Sequence, residues 1–289
     1  MNPEILFVTG KGGVGKSTIA ACLALKKAKE GHRVLLVEIG DQSFYKDYFN
    51  LPFVGFEPTQ VQENFSVALW TGQSCLREYI IHMIKVEALY KLFFENAMMK
   101  AFINVAPALP ELAIMGKATS GPRHHGPVLP YDCIVMDCYA TGHFTALMGA
   151  AAGMAQAVKF GPMGEQSRNI DKVLRDPSIC RYFLVSLPEE LPVRETEELY
   201  TQLESTYGIK ANLVLNKCFE NEIPDSEYVA AQKPNSNEFR EFAQEHKKIQ
   251  GLHNEMKERL SKLDPKMKIL PPIWEHNVMT LLNQLAERI

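Results

Sequence analysis

Eight residues near the start of the chain, Gly10-Lys11-Gly12-Gly13-Val14-Gly15-Lys16-Ser17, have the types and spacing of the phosphate loop G-x-x-x-x-G-K-[ST]. Glycines let a backbone curl until successive N–H groups face phosphate oxygens. A helix starting near Lys16 adds the positive end of its dipole. Lys16 is placed to reach β- and γ-phosphates and the Ser17 hydroxyl to ligate Mg2+, with Thr18 following in the same turn. Chance gives this pattern in roughly one chain in a hundred at average residue frequencies. A strand before it and a helix after it make it far more specific.

Further residues belong to the same chemistry. Asp137 closes the apolar run Cys133–Asp137 and suits a carboxylate that holds Mg2+ directly or through water; helix capping is the plainer alternative for a strand-end Asp. The residues after it, Cys138-Tyr139-Ala140-Thr141-Gly142-His143, read as a flexible switch. Asn216 ends another apolar run, where an amide contact to a nucleobase edge or an ordinary turn is expected.

These residues need a scaffold that brings strand ends together. Ile5–Thr9 reads as a buried strand, Ser17–Glu30 as a helix stopping near Gly31, and Arg33–Glu38 as a second strand. Strand, helix and strand within about thirty-five residues form a βαβ unit and imply a parallel sheet. Cys133–Asp137, Arg181–Leu187, Ala211–Asn216 and Met267–Leu270 continue the strands, and Val67–Trp70 suits a short edge strand. Helices are expected near Gly164–Arg175, Pro192–Tyr207 and Glu238–Lys262. The predicted fold is therefore α/β, a doubly wound, mostly parallel sheet of about 6–8 strands in a single domain over residues 1–289. Leu76–Lys117, helical in composition yet apolar on more than one face, reads as a helical insertion, at about 76–117. Thr119–Pro130 and Asp225–Asn237 read as loops. The apolar stripe of Glu238–Lys262 is short for a coiled coil and is expected to pack on the sheet.

With 289 residues, 46% hydrophobic and 22% charged, the chain suits one large globular domain. Its net charge of −3 gives no general reason to expect nucleic acid or acidic lipid as a partner. Six scattered cysteines without a CxxC pair suit buried free thiols. Without a leader or a long apolar run, stable membrane insertion is not expected and a cytoplasmic setting is.

The residues GKGGVGKST, with Lys11 as well as Lys16, resemble the deviant Walker A loop of arsenite-pump, tail-anchored-protein-targeting, septum-site and nitrogenase-iron-protein ATPases. Asp137–His143 resembles the DTAPTGH switch II of the arsenite-pump and tail-anchored-targeting (ArsA-like) branch. Leu187–Thr196 resembles that branch's PEE-x-PV-x-ET segment, and Ala106–Lys117 its AP-G-x-x-E-L…GK helix. The resemblance implies a dimeric switch ATPase using ATP and Mg2+, with Lys11 crossing to the partner's phosphates. Asn216 with Pro271 and Pro272 would hold the adenine; Thr141, Gly142 and His143 would form switch II. The insertion would present a surface to a protein client, although its apolar faces equally suit helix-packing core.

One departure bears on catalysis. The family's switch I places a water-positioning Asp where this chain has Gly40; Asp41 is one residue late and Glu38 two early. General-base geometry is sensitive at the ångström scale. Two readings stay open: a hydrolysing homodimer or heterodimer with a paralogous ATPase, with Asp41 joining Lys11 and Lys16 in catalysis, or a hydrolysis-poor nucleotide-binding subunit. A membrane- or DNA-positioning ATPase is disfavoured by charge and by the wording of switch II.

Overall fold

A computed structural model of the chain describes residues 3–84, 108–127, 129–219 and 237–289. Its eight strands are β1 (Glu4–Gly10), β2 (Val34–Ile39), β3 (Thr59–Gln62), β4 (Phe65–Trp70), β5 (Cys133–Ala140), β6 (Cys180–Ser186), β7 (Asn212–Leu215) and β8 (Lys268–Ile269). They form one sheet in the order β3-β4-β2-β5-β1-β6-β7-β8. Among the described residues every pairing is parallel except β3 with β4. This is the expected α/β architecture, at the upper end of the expected strand number.

Both faces of the sheet are covered, because the central strands are apolar on both sides. Along β1, Ile5 and Phe7 enter one core while Leu6 and Val8 enter the other. Helix α1 (Lys16–Lys29), the short α2 (Phe44–Tyr48) and the C-terminal helix α10 (Val278–Ala286) cover the Leu6 side. The Phe7 side carries α3 (Gly72–Ile84), α4 (Leu109–Ala118), α6 (Thr141–Ala157), α7 (Pro162–Leu174), α8 (Glu190–Gln202) and α9 (Asn237–Leu263). A π turn, Leu203–Tyr207, extends α8. In α9 the inward stripe includes His253, Met256 and Leu260, as its spacing predicted, but Phe242 is 63% exposed and lies off it.

Several expectations need correction. Val67–Trp70 belongs to an interior strand: β4 pairs with β2 on one side and β3 on the other, and β3 forms the edge. The stretch Thr119–Pro130 is not all loop. Ser120–Arg123 forms a helical turn, α5, held by the Arg123 guanidinium, which donates to Gly116 O, Thr119 Oγ1 and Gln166 Oε1. Residues 138–143, expected as a switch, span two elements: Cys138–Ala140 complete β5 and Thr141 opens α6 at once. The run after it, rich in Ala and Met, propagates a helix well.

Residues 85–107 of the expected insertion, and most of the loop expected at Asp225–Asn237, lie outside the described residues. The described flanks of the insertion, α3 and α4, are part of the core layer: Cys75, Ile114, Met115 and Ala118 pack into the Phe7-side cluster. No helix among the described residues is long and apolar enough to cross a membrane. All six cysteines are buried and none is in a disulfide; burial pushes Cys22, Cys75, Cys133 and Cys180 up to about 12.

Candidate phosphate-binding site

The carboxyl ends of β1 and β5 lie side by side at the centre of the sheet, where ligands collect in doubly wound folds. Parallel pairing sets Asp137 of β5 level with Val8 of β1 and with Glu38 of β2. Thr9 Oγ1 donates to Tyr139 O at 2.7 Å, tying the two strand ends together just before the loop departs.

The loop takes its shape from glycines, three of them in the left-handed region that side chains rarely adopt. Gly10 has φ 146°, and a Cβ there would lie 2.1 Å from Val185 O of β6. Gly15 has φ 94°, and its Cβ would meet Asn216 Nδ2 at 2.5 Å; Gly13 is also left-handed at φ 86°. Gly12 faces open space, as a residue lining a ligand cradle would. Gly15 is the N-cap of α1, where no side chain caps the helix and no acid sits in the first turn. The opening N–H groups of α1, next to Lys16, Ser17 and Thr18, are therefore left for something outside the helix. A multi-oxygen anion matches those N–H groups in charge and in hydrogen bonding.

Lys16 and Lys11 diverge. The Lys16 ammonium donates to Lys11 O at 3.0 Å, across the mouth of its own loop. Burial lowers its pKa, with Asp137 acting in the opposite direction. The Lys11 ammonium instead pairs with Glu195 Oε1 of α8 at 2.5 Å. Val14, between them, points into the core and is 1% exposed.

Asp137 is 6% exposed and titrates at about 6. Burial is the main cause; hydrogen bonds from Ser17 and Tyr45 oppose it, Glu38 adds to it and Lys16 opposes it. A buried carboxylate against the Ser17 hydroxyl is a ligand pair suited to Mg2+, whose charge would compensate the desolvated anion. The Tyr45 hydroxyl lies 3.0 Å from Asp137 Oδ2 and 2.8 Å from Ser17 O, so α2 closes the back of this corner.

The residues at the switch I position leave the end of β2 in a short loop before α2. Gly40 is bonded through its N–H to Trp70 O. Glu38 caps α2, accepting from Ser43 Oγ and Phe44 N, each at 2.7 Å. Asp41 is exposed on the intervening loop, on the side toward Tyr139, whose phenol it helps to raise.

Asn216 is buried and braces the loop, donating from Nδ2 to Val14 O at 2.9 Å. Pro271 and Pro272 follow β8, beside the end of β7 that carries Asn216, and both are partly exposed. The structure thus brings Asn216 and the two prolines to the rim that holds the loop and gives Asn216 a bracing contact. At the opposite flank Thr141 donates from Oγ1 to Glu195 Oε2 at 3.0 Å, while Gly142 and His143 are exposed in the first turn of α6.

Sequence reasoning assigned no role to Tyr45 or Glu195. Tyr45 lies in an aromatic cluster, FYKDYF, that carries no motif. Glu195 falls inside the Leu187–Thr196 segment, so the resemblance marked its neighbourhood and left its role open.

A family model described as anion-transporting ATPase matches residues 3–162 and 149–255. ATPase BagA of Mycobacterium tuberculosis is 32% identical over 224 residues, which cover 73% of this chain and 64% of that protein. A Halobacterium salinarum protein called "Putative arsenical pump-driving ATPase" is 30% identical over 227 residues, covering 73% of this chain and 34% of its own length. The chain therefore spans between a third and two thirds of the length of these relatives.

Proposed function

The chain belongs to the anion-transporting ATPase family, and on that premise we propose that it binds Mg2+-ATP at Gly10–Thr18 and hydrolyses it as one half of a two-chain switch. The observation that carries this reading is the uncapped glycine loop opening α1 beside a buried Asp137–Ser17 pair. The backbone N–H groups of Gly12 to Lys16 would take the phosphate oxygens, and Lys16 would turn from Lys11 O to the β- and γ-phosphates. Ser17 and Asp137 would hold Mg2+, which when bound draws charge from the phosphates. Water would attack the γ-phosphorus, breaking its bond to the β–γ bridging oxygen and giving ADP and inorganic phosphate. Asn216, Pro271 and Pro272 would border the adenine. Lys11 would reach the phosphates of a second chain, a copy or a paralogous ATPase, in the cytoplasm. Thr141, Gly142 and His143 would carry the nucleotide state into α6. The segment at about 76–117 would offer a protein client its apolar surface.

A second reading, a hydrolysis-poor nucleotide-binding subunit, is favoured by one specific feature. Glu38 is committed to capping α2 and Asp41 is exposed, with Gly40 between them. Steady-state phosphate release with Mg2+-ATP separates the readings. Turnover that falls by orders of magnitude in Lys16→Ala and Lys11→Ala is expected of the switch ATPase. Nucleotide binding without turnover, restored by a paralogous chain, would favour the second reading. Wild-type release no faster than that of Lys16→Ala would sink the hydrolase.

A further inference from the structure

One carboxylate holds two parts of the candidate site together. Glu195 Oε1 takes the Lys11 ammonium at 2.5 Å, and Glu195 Oε2 takes the Thr141 hydroxyl at 3.0 Å. Lys11 and Thr141 are far from Glu195 in sequence, so this contact exists only in the folded chain. The pairing with Lys11 holds the Glu195 carboxyl below the usual carboxylate range.

The carboxylate has a firm base. It stands on α8, which Arg259 of α9 clamps from the opposite side, reaching Glu197 Oε2 at 2.6 Å and Glu190 Oε2 at 2.8 Å. Within α8, Thr196 Oγ1 bonds back to Pro192 O. The groups it grips belong to the glycine loop and to α6. Lys11 lies on the loop that meets the phosphates, and its carbonyl accepts from Lys16. Thr141 is the first residue of the helix that follows Asp137.

We propose that Glu195 is a positioning residue that latches Lys11 within its own chain, so that pairing of two chains requires the latch to open. An ammonium engaged with Glu195 is not available to a second chain's phosphates. The same opening frees Thr141 at the start of α6, so release of the loop and release of the switch helix are coupled through one side chain. This rests on the reading above, in which Lys11 acts across a dimer.

The pair is partly solvated, with 27% and 29% of the two side chains exposed. Ion pairs at such sites hold about two- to fivefold per pair. A dimer opens two latches, so Glu195→Gln should tighten nucleotide-dependent dimerisation by about four- to twenty-five-fold.

The test has two arms on the full chain. In the nucleotide-free protein, amine-directed acetylation followed by mass spectrometry reads the Lys11 labelling rate against the exposed Lys29. The latch predicts faster Lys11 labelling in Glu195→Gln, slow labelling restored in Glu195→Asp, and an unchanged Lys29 rate. Equal Lys11 rates in wild type and Glu195→Gln would overturn it, whatever the protein does with nucleotide. In the second arm, sedimentation with Mg2+ and a non-hydrolysable ATP analogue measures dimerisation. Tightening in Glu195→Gln that disappears in Glu195→Gln/Lys11→Ala supports the latch. Wild-type dimerisation that depends on Lys11 but is unchanged or weakened in Glu195→Gln overturns the latch and leaves the dimeric reading standing. Absence of nucleotide-dependent dimerisation in wild type overturns the dimeric reading, and with it the role given to the latch in pairing.

Discussion

Asp137 makes the nucleotide-free protein less stable at neutral pH than it would be with a neutral side chain there, and the size of the effect follows from its surroundings. Its carboxyl titrates at about 6 in the folded chain, against a usual value of 3.8, chiefly because burial penalises the anion. The folded state thus holds this proton more tightly than the unfolded state does. The resulting stabilisation is complete below about pH 4 and is lost as pH rises through about 6. At 1.36 kcal/mol per pH unit the loss is about 3 kcal/mol. Asp137→Asn removes the titration and keeps the shape. Urea unfolding of both proteins in EDTA, between pH 4 and pH 8, should show the variant gaining about 3 kcal/mol on the wild type over that range, levelling off above about pH 7. Other groups cancel in the difference: Asp132, held down to about 2 by Arg33, loses its contribution as pH falls, but it does so in both proteins. Tyr45→Phe offers a check on the cause, since loss of its hydrogen bond should move the wild-type transition to higher pH. Difference curves that stay flat with pH would refute the burial argument, and with it the picture of a carboxylate whose charge needs a cation.

Other perturbations probe the loop and its supports. Gly10→Ala places a Cβ 2.1 Å from Val185 O at φ 146°, and should destabilise by about 3 kcal/mol, read by thermal or urea unfolding. Gly12→Ala, with open space around its Cβ, should stay within about 0.5 kcal/mol of wild type in the same assay. Asn216→Ala leaves the buried Val14 carbonyl without its partner and should lose about 1–3 kcal/mol, with weaker nucleotide binding by calorimetry.

Much of the frame is legible in the sequence because the central strands are buried on both faces. Uninterrupted runs such as ILFV and CIVM announce themselves, and the glycine loop between a strand and a helix admits few readings. Asp137 stands out as the one acid in the apolar run Cys133–Asp137; the strand continues past it to Ala140, and parallel pairing sets it level with Val8, two residues before the loop. What stayed hidden has physical reasons. The strand β3, TQVQ, is four residues with little apolar content, so nothing marks it until β4 supplies a partner. Helix α2 has five residues, too few for a period, and exists because the Glu38 carboxylate and Ser43 cap it. The strand-to-helix junction inside residues 138–143 has no mark of its own in the sequence, since Gly142 sits in the first turn of the helix. The Glu195 contacts to Lys11 and Thr141 join residues far apart in the chain, and no local pattern encodes a distance of that kind.

The central claim is that Gly10–Thr18 is a built Mg2+-nucleotide cradle. Calorimetric titration of the purified chain with a non-hydrolysable ATP analogue tests it most directly, in Mg2+ and in EDTA, beside Lys16→Ala. The account predicts one site per chain, weakened by EDTA, and weakened by at least about tenfold in Lys16→Ala through loss of charge-assisted hydrogen bonds to phosphate. Binding of equal strength in wild type and Lys16→Ala, or no binding to a folded wild-type chain, would contradict it.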